Sequence, residues 1–370
     1  MLTQILSDIM ELTAAIISQE SESSKMTITE MKKYFSKVDS LKINHIEITL
    51  DSNNTQVLYE GKPLKEYNCV YTKGSFRYAP LLRGLTQIIA KNTYTPISPA
   101  AFSIGHDKIL THLALEEAGI PMPKTYLISS VTSAKELLDK INYPIIMKFP
   151  HGTQGKGVMV ADSRESASSM IDALTALRQP FLIQEFIDTG GVDVRAIVVG
   201  DKVVASMKRI AIEGETRSNI HAGGKGEAYS LDANTKKIAI KAAQAVGIDI
   251  CGVDILESVK GPLVLEINTS PGLQGITEAT KVNVAEKIAK YLYEQTKLKM
   301  EGEKKTSCEN VIEKMGLAAT DMQKIITTLD FRGKRILLPE LICKIAKFND
   351  EKDVVIKARN GKIEIDNFNM

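Results

Sequence analysis

Paired cysteines and histidines, a net charge of one sign and long apolar runs are all missing from this chain of 370 residues. Its four cysteines, Cys69, Cys251, Cys308 and Cys343, are scattered without a CxxC, and its five histidines show no metal spacing. A zinc site and a disulfide framework are therefore not indicated, and reduced thiols in a cytoplasmic setting are the expectation. With 47 Lys and Arg against 45 Asp and Glu the net charge is +2, which gives no global pull toward nucleic acid or membrane. No apolar run reaches the length of a membrane span, and Met1 to Glu11 has neither the basic flank nor the apolar core of a signal peptide. There is no internal repeat, Walker A loop or dinucleotide fingerprint.

What the chain does contain is a hairpin with two acids facing each other. Ile250 to Ser258 and Pro262 to Thr269 read as strands about Val259-Lys260-Gly261, with Gly261 suited to the left-handed position of a three-residue loop. Pairing about Lys260 sets Asp254 opposite Glu266 and Gly252 opposite Asn268, on one face. Val253, Ile255, Leu263, Leu265 and Ile267 fall on the other face. Like charges directly opposite destabilise a sheet unless something compensates. Two carboxylates plus an amide carbonyl suit a hard divalent cation. A solvated acidic strand face is the alternative.

Organisation follows from stop signals and periodicity. Helical patterns at Ile5 to Ser18 and Ile28 to Phe35, then strands at His45 to Leu50 and Asn68 to Tyr71, make residues 1–97 an N-terminal α/β domain. Alternating strands and helices fill 98–296. Residues 297–306, rich in Lys, Glu and Gly, read as a linker. In 307–370, Cys308 to Thr328 is helical in pattern and Asn360-Gly361 sits between strand-like runs as a two-residue hairpin turn.

Several side chains could serve an anion. His151-Gly-Thr-Gln-Gly-Lys-Gly157 follows a strand and brings backbone N–H groups close to a phosphate, or is simply a mobile turn. Lys148 projects from the apolar strand before it, where an ammonium needs a counter-anion or a path to water. Lys108 starts a helix, a position the dipole does not favour for a cation. Gln184 and Glu185 end an apolar strand and could border a base. Asp193 and Arg195 share a strand face, with a structural salt bridge as the alternative. Lys208 and Arg209 add cations, and Arg217 with Asn219 suits a clamp for phosphate or carboxylate, with a solvated face as the alternative.

Taken in order, His106-Asp-Lys108, Met147-Lys-Phe149 with Gly152-Thr-Gln-Gly-Lys-Gly157, Gln184-Glu-Phe-Ile187, Asp193-Val-Arg195, Arg217-Ser-Asn219, Gly252-Val-Asp254 and Leu265-Glu-Ile-Asn-Thr-Ser-Pro-Gly272 resemble the ATP-grasp superfamily, closest to its RimK-type carboxylate-amine ligases. The resemblance implies an α/β (α+β) ATP-grasp fold over 98–296, preceded by a pre-ATP-grasp domain and followed by a small helix-plus-β-hairpin appendage. It implies ATP with Mg2+ or Mn2+, as two ions, held by Asp254, Glu266 and Asn268. Lys108, Lys148, Gly152, Thr153, Gln154, Gly155, Lys156, Gly157, Glu185, Phe186, Asp193, Arg217, Ser218 and Asn219 would form the ATP site. Arg195, Arg209 and Arg217 would stabilise an acyl phosphate or substrate carboxylate.

The activity so implied is ATP-dependent addition of glutamate to a peptide, cofactor or carrier protein. The alternatives are another amino acid in carrier-linked lysine or arginine biosynthesis, and a nucleotide-binding regulator. Expected partners are an amino acid, an amine- or carboxylate-bearing acceptor and further copies of the chain, with no membrane. The C-terminal region faintly resembles an AbrB-type swapped hairpin. Its nine Lys and Arg against six Asp and Glu between Phe331 and Met370 leave nucleic acid as a secondary expectation.

Overall fold

The computed structural model describes residues 11–52, 54–150, 152, 157–211 and 225–314, and short segments between 330 and 367. It divides into two compact units, Met1–Gly302 and Glu303–Met370.

The first unit opens with strand β1 (Thr13–Ser18), helix α1 (Glu22–Met31), β2 (Lys37–Lys42), β3 (Ile46–Thr49), β4 (Gln56–Tyr59), β5 (Lys62–Pro63) and β6 (Cys69–Thr72). Sheet order β2-β1-β6 is parallel, and β3-β4-β5 form a separate antiparallel sheet. The helix expected over Ile5 to Ser18 is corrected at Thr13–Ser18, which is the middle strand; residues 5–10 lie outside the described residues. Ala14, Ala15, Ile16 and Ile17 are all fully buried. A parallel strand covered on both faces reads as a continuous apolar run, whose period cannot be told from that of a buried helix.

After α2 (Ala79–Ile89), α3 (Pro99–Ile104) and α4 (Lys108–Glu117) comes a small lobe: β7 (Thr125–Leu127), α5 (Val131–Leu138), β8 (Ile145–Lys148), β9 (Val158–Ala161), α6 (Arg164–Ala176) and β10 (Leu182–Glu185). Its antiparallel sheet, order β7-β10-β8-β9, has its own core, in which Ile145, Met147 and Ile183 meet Leu138, Ile171 and Leu174. Ser130 and Ser163 cap α5 and α6, each accepting from the N–H three residues on.

The large lobe consists of β11 (Val192–Val199), β12 (Lys202–Ile210), β13 (Lys225–Ala228), α7 (Ala233–Val246), β14 (Ile250–Ser258), β15 (Gly261–Asn268) and α8 (Gln274–Thr280). Its antiparallel sheet runs β13-β12-β11-β14-β15. The core under it is continuous with that of the N-terminal strands.

Helix α9 (Val284–Lys314) follows and runs through the linker expected at 297–306, so that stretch is helical, while the division between the two units does fall inside it, after Gly302. Lys and Glu, which argued for a linker, are also strong helix formers that pair at i,i+4, as Lys290 with Glu294 (3.9 Å) and Lys297 with Glu301 (3.7 Å) do here. Lys299 Nζ also donates to the Ala90 (2.6 Å) and Thr93 (3.0 Å) carbonyls, tying this stretch to the body. In the second unit β16 (Asp330–Arg332) pairs with β17 (Arg335–Leu337), and β18 (Val354–Arg359) with β19 (Lys362–Asn367). Arg359 stands opposite Lys362, which fits a short connection there; Gly361, the second residue of the expected turn, lies outside the described residues.

Candidate active site

The β14–β15 hairpin has the expected pairing by a different route. Ser258 pairs with Gly261, so Val259-Lys260 is a two-residue connection rather than a three-residue loop, with Gly261 at φ +101°. A shift between Asp254 and Ile255 then adds one residue to β15, and beyond it Asp254 faces Glu266 and Gly252 faces Asn268. The cost of the shift falls on Leu265, expected in the core but only half-buried, while Val264 is fully buried.

What compensates the facing acids is a pair of arginines on the same sheet. Arg195 lies directly opposite Asp254 and grips it twice, Nε to Oδ1 and Nη2 to Oδ2, both at 2.7 Å. Asp193 lies opposite Arg209, whose Nε donates to Asp193 Oδ1 at 2.6 Å and whose Nη2 bonds both Asp193 Oδ2 and, at 2.8 Å, Asp254 Oδ2. Burial alone would raise the Asp254 carboxyl, but the two guanidinium groups hold it well below the usual carboxylate range. Asp193 and Arg195 are thus in salt bridges, the alternative left open by the sequence, and the bridges themselves build the acidic site.

Glu266 is half-buried and has no hydrogen bond or ion pair to any described residue. Asn268 Oδ1 accepts from the Ser270 N–H at 3.0 Å. A carboxylate has about four lone-pair sites, and Asp254 uses three of them. An unpartnered carboxylate, a carboxylate with a site to spare and an amide oxygen are a donor set that fits a hard divalent ion.

The small lobe contributes one lysine, Lys148, and the helix before it, α4, the other, Lys108. Lys148, at the end of β8, is buried and donates to Gln184 Oε1 at 2.6 Å. Burial lowers its ammonium to about 8, against a raising influence from Glu266 and with Lys108 lowering it further. Lys108 begins α4, with its own N–H on the Pro150 carbonyl at 3.1 Å and Nζ 3.4 Å from the Gly152 carbonyl. Gly157 closes the glycine loop at φ +80°, where a Cβ would stand 2.2 Å from the Phe149 ring, so only glycine fits. Thr153, Gln154, Gly155 and Lys156 lie outside the described residues, as do Arg217, Ser218 and Asn219. The Glu185 carboxylate accepts from the Lys124 N–H at 2.9 Å, and Phe186 beside it is half-buried.

One participant escaped the sequence reading. His112, one turn after Lys108, has Nδ1 2.6 Å from the Lys108 carbonyl and Nε2 3.2 Å from Gln184 Nε2. The carbonyl requires Nδ1–H, so Nε2 accepts, and the Gln184 amide is left with its oxygen toward Lys148. Burial lowers the His112 pKa, in keeping with a neutral ring. Its i,i+4 spacing from Lys108 was the available signal.

A family model described as the RimK-like ATP-grasp domain matches residues 105–292. A probable alpha-L-glutamate ligase of Marinomonas sp. (strain MWYL1) is 38% identical over 261 residues, 69% of this chain and 86% of the relative. One from Cellvibrio japonicus (strain Ueda107) is 40% identical over 253 residues, 68% of this chain and 84% of the relative. The chain belongs to the RimK-like ATP-grasp ligases. Among solved structures, the ATP-grasp ligase PsnB complexed with minimal precursor, Mg and ADP superposes with a TM-score of 0.61 at 18% identity, over 77% of this chain and 98% of that one. The macrocyclase MdnC bound with precursor peptide MdnA, from Microcystis aeruginosa MRC, does so at 0.57 and 15%, over 76% and 99%. These likenesses support the ATP-grasp fold for the two lobes. As a RimK-like ATP-grasp protein the chain is a carboxylate-amine ligase.

Proposed function

We propose that this ligase joins L-glutamate through its amine to a carboxylate-bearing acceptor, a peptide or a carrier, by way of an acyl phosphate. The observation that carries the reading is the sheet-borne lattice of Asp193, Arg209, Asp254 and Arg195 ending on the unpartnered Glu266, with Lys148 close enough to feel its charge. Phosphoryl transfer needs positioning and charge neutralisation more than it needs a protein nucleophile.

Lys148 from the small lobe and Lys108 from α4 would hold phosphate oxygens, with the 152–157 loop over them and Glu185 and Phe186 beside the base. Glu266, Asn268 and the remaining site on Asp254 would hold Mg2+, or Mn2+, as two ions. When bound, the metal neutralises the transferring phosphoryl group. Arg195, with Nη1 uncommitted to Asp254 and its side chain 13% exposed, is the residue to meet the acyl phosphate or a substrate carboxylate, together with Arg217. Arg209, its side chain only 7% exposed and locked on both acids, orients Asp254 rather than touching substrate.

The likeness to probable alpha-L-glutamate ligases favours glutamate over other amino acids. The test is ADP release by the full chain with Mg2+, ATP, each amino acid in turn and a peptide acceptor, with the product mass measured. Release that requires both L-glutamate and acceptor, with an added glutamyl mass, is expected. Turnover with another amino acid and none with glutamate overturns the choice of substrate.

A further inference from the structure

One more buried cation lies outside the set described so far. Lys73 directly follows β6, and its N–H donates to the Ile17 carbonyl at 2.8 Å, so it extends the carboxyl end of a strand in the N-terminal parallel sheet. Open parallel sheets bind ligands outside these strand ends. The Lys73 side chain is 4% exposed. Its Nζ is 3.4 Å from the Pro271 carbonyl and 5.6 Å from the Tyr71 ring centroid, and no described carboxylate lies within ion-pair distance.

Pro271 belongs to the turn that leaves the acid hairpin, three residues beyond Asn268. It packs on Gly252, where a Cβ would come within 3.3 Å of the Pro271 Cβ. Two residues before Lys73, and so on the same face of β6, Tyr71 carries a fully buried hydroxyl with no hydrogen-bond partner. An ammonium and a phenol, both buried and both short of acceptors, are costly to keep unless something supplies acceptors.

We propose that Lys73 and Tyr71 bind a substrate carboxylate against the Ser270–Gly272 turn, making the N-terminal sheet part of the substrate site. This deepens the ligase reading and rests on it. The incoming oxygen would displace only the Pro271 contact, which is longer than the about 2.7–2.9 Å of a charge-assisted bond. The carboxylate has two sources, the α-carboxylate of the amino acid or a carboxylate of the acceptor.

Calorimetry on the full chain with ADP and Mg2+ separates them, using L-glutamate, its α-carboxamide, and a glutamate-ending peptide with and without C-terminal amidation. Lys73→Met is expected to weaken one carboxylate form at least about tenfold, and Tyr71→Phe to weaken the same form less. The corresponding amide should be insensitive to either change. Both variants should melt no lower than the parent, since each removes an unsatisfied buried group. Weakening of glutamate assigns the amino acid, and weakening of the peptide assigns the acceptor. If neither binds in a Lys73-dependent way, or if Lys73→Met melts lower with binding unchanged, Lys73 only braces the turn and the proposal fails. Lys73-dependent binding without ADP release would instead overturn the ligase reading and leave the subsite standing.

Discussion

The small lobe and the large lobe hold opposite charges on opposite kinds of foundation. Lys148, the cation of the small lobe, sits on a four-stranded sheet with a core of its own and is held through one neutral amide, Gln184. Asp193 and Asp254 of the large lobe sit on a five-stranded sheet whose core continues into the N-terminal domain, and are held by charged bidentate contacts. The acidic side is therefore fixed before any ligand arrives, while the basic side rests on a lighter support that can settle onto phosphates. If that contrast is real, substitutions on the two sides should fail in different ways.

The largest effect should come from the arginine that serves two acids. Arg209→Met takes the bidentate guanidinium from buried Asp193 and one of two guanidinium groups from buried Asp254, a change that costs about 3–5 kcal/mol. Urea unfolding should show the loss in the transition that reports the large lobe; a loss confined to the small lobe would break the comparison. Next comes Glu266→Ala, with an expected fall in kcat of about 10²–10³-fold. Glu266 has no partner among the described residues to orphan, so the melting temperature of the variant should stay at the parent value. Activity near that of the parent would remove Glu266 from the reaction.

The contrast between these two residues also explains what the sequence could and could not disclose. That Asp254 and Glu266 face each other was legible, because strand alternation is local and the hairpin is short. Its derivation carried two errors that cancel, a loop one residue too long and a shift not foreseen, and Leu265 shows where the cancellation ends. The pairing of Asp193 with Arg209 and of Arg195 with Asp254 was not legible, because it depends on which strands become neighbours. The β12-β11-β14 order joins residues up to 59 positions apart. Composition misled at two places for opposite reasons. The buried β1 lacked alternation because both its faces are covered, and the Lys- and Glu-rich stretch of α9 was taken for a linker although those residues favour helix.

A smaller effect should appear in the pH profile. The Lys148 ammonium is lowered to about 8 by burial, so its charge is present below that pH and is lost as pH rises through it. The value of kcat/KM for ATP should be level below about pH 8 and fall roughly tenfold per unit above it, since this parameter follows free-enzyme ionisations. Lys148→Arg keeps its charge throughout and should lose the basic limb, whatever its absolute rate. A limb that survives the substitution belongs to another group, and the lighter support would then have no titration signature.

The smallest effect tests the separateness of the cores most directly. Ile171 on α6 is fully buried in the small-lobe core, and Ile171→Val removes one methylene at a cost of about 0.5–1.5 kcal/mol. Val253 on β14 is equally buried in the core shared with the N-terminal domain, so Val253→Ala serves as its counterpart. If the small lobe opens by itself, hydrogen exchange in Ile171→Val should speed up at the amides of β8 and β10 and leave those of β14 at the parent rate, whereas Val253→Ala should speed exchange throughout. Equal acceleration on both sheets in Ile171→Val would mean that the lobes unfold as one body. The asymmetry would then have to lie in the side-chain contacts alone, one amide against two guanidinium groups, and not in the cores beneath them.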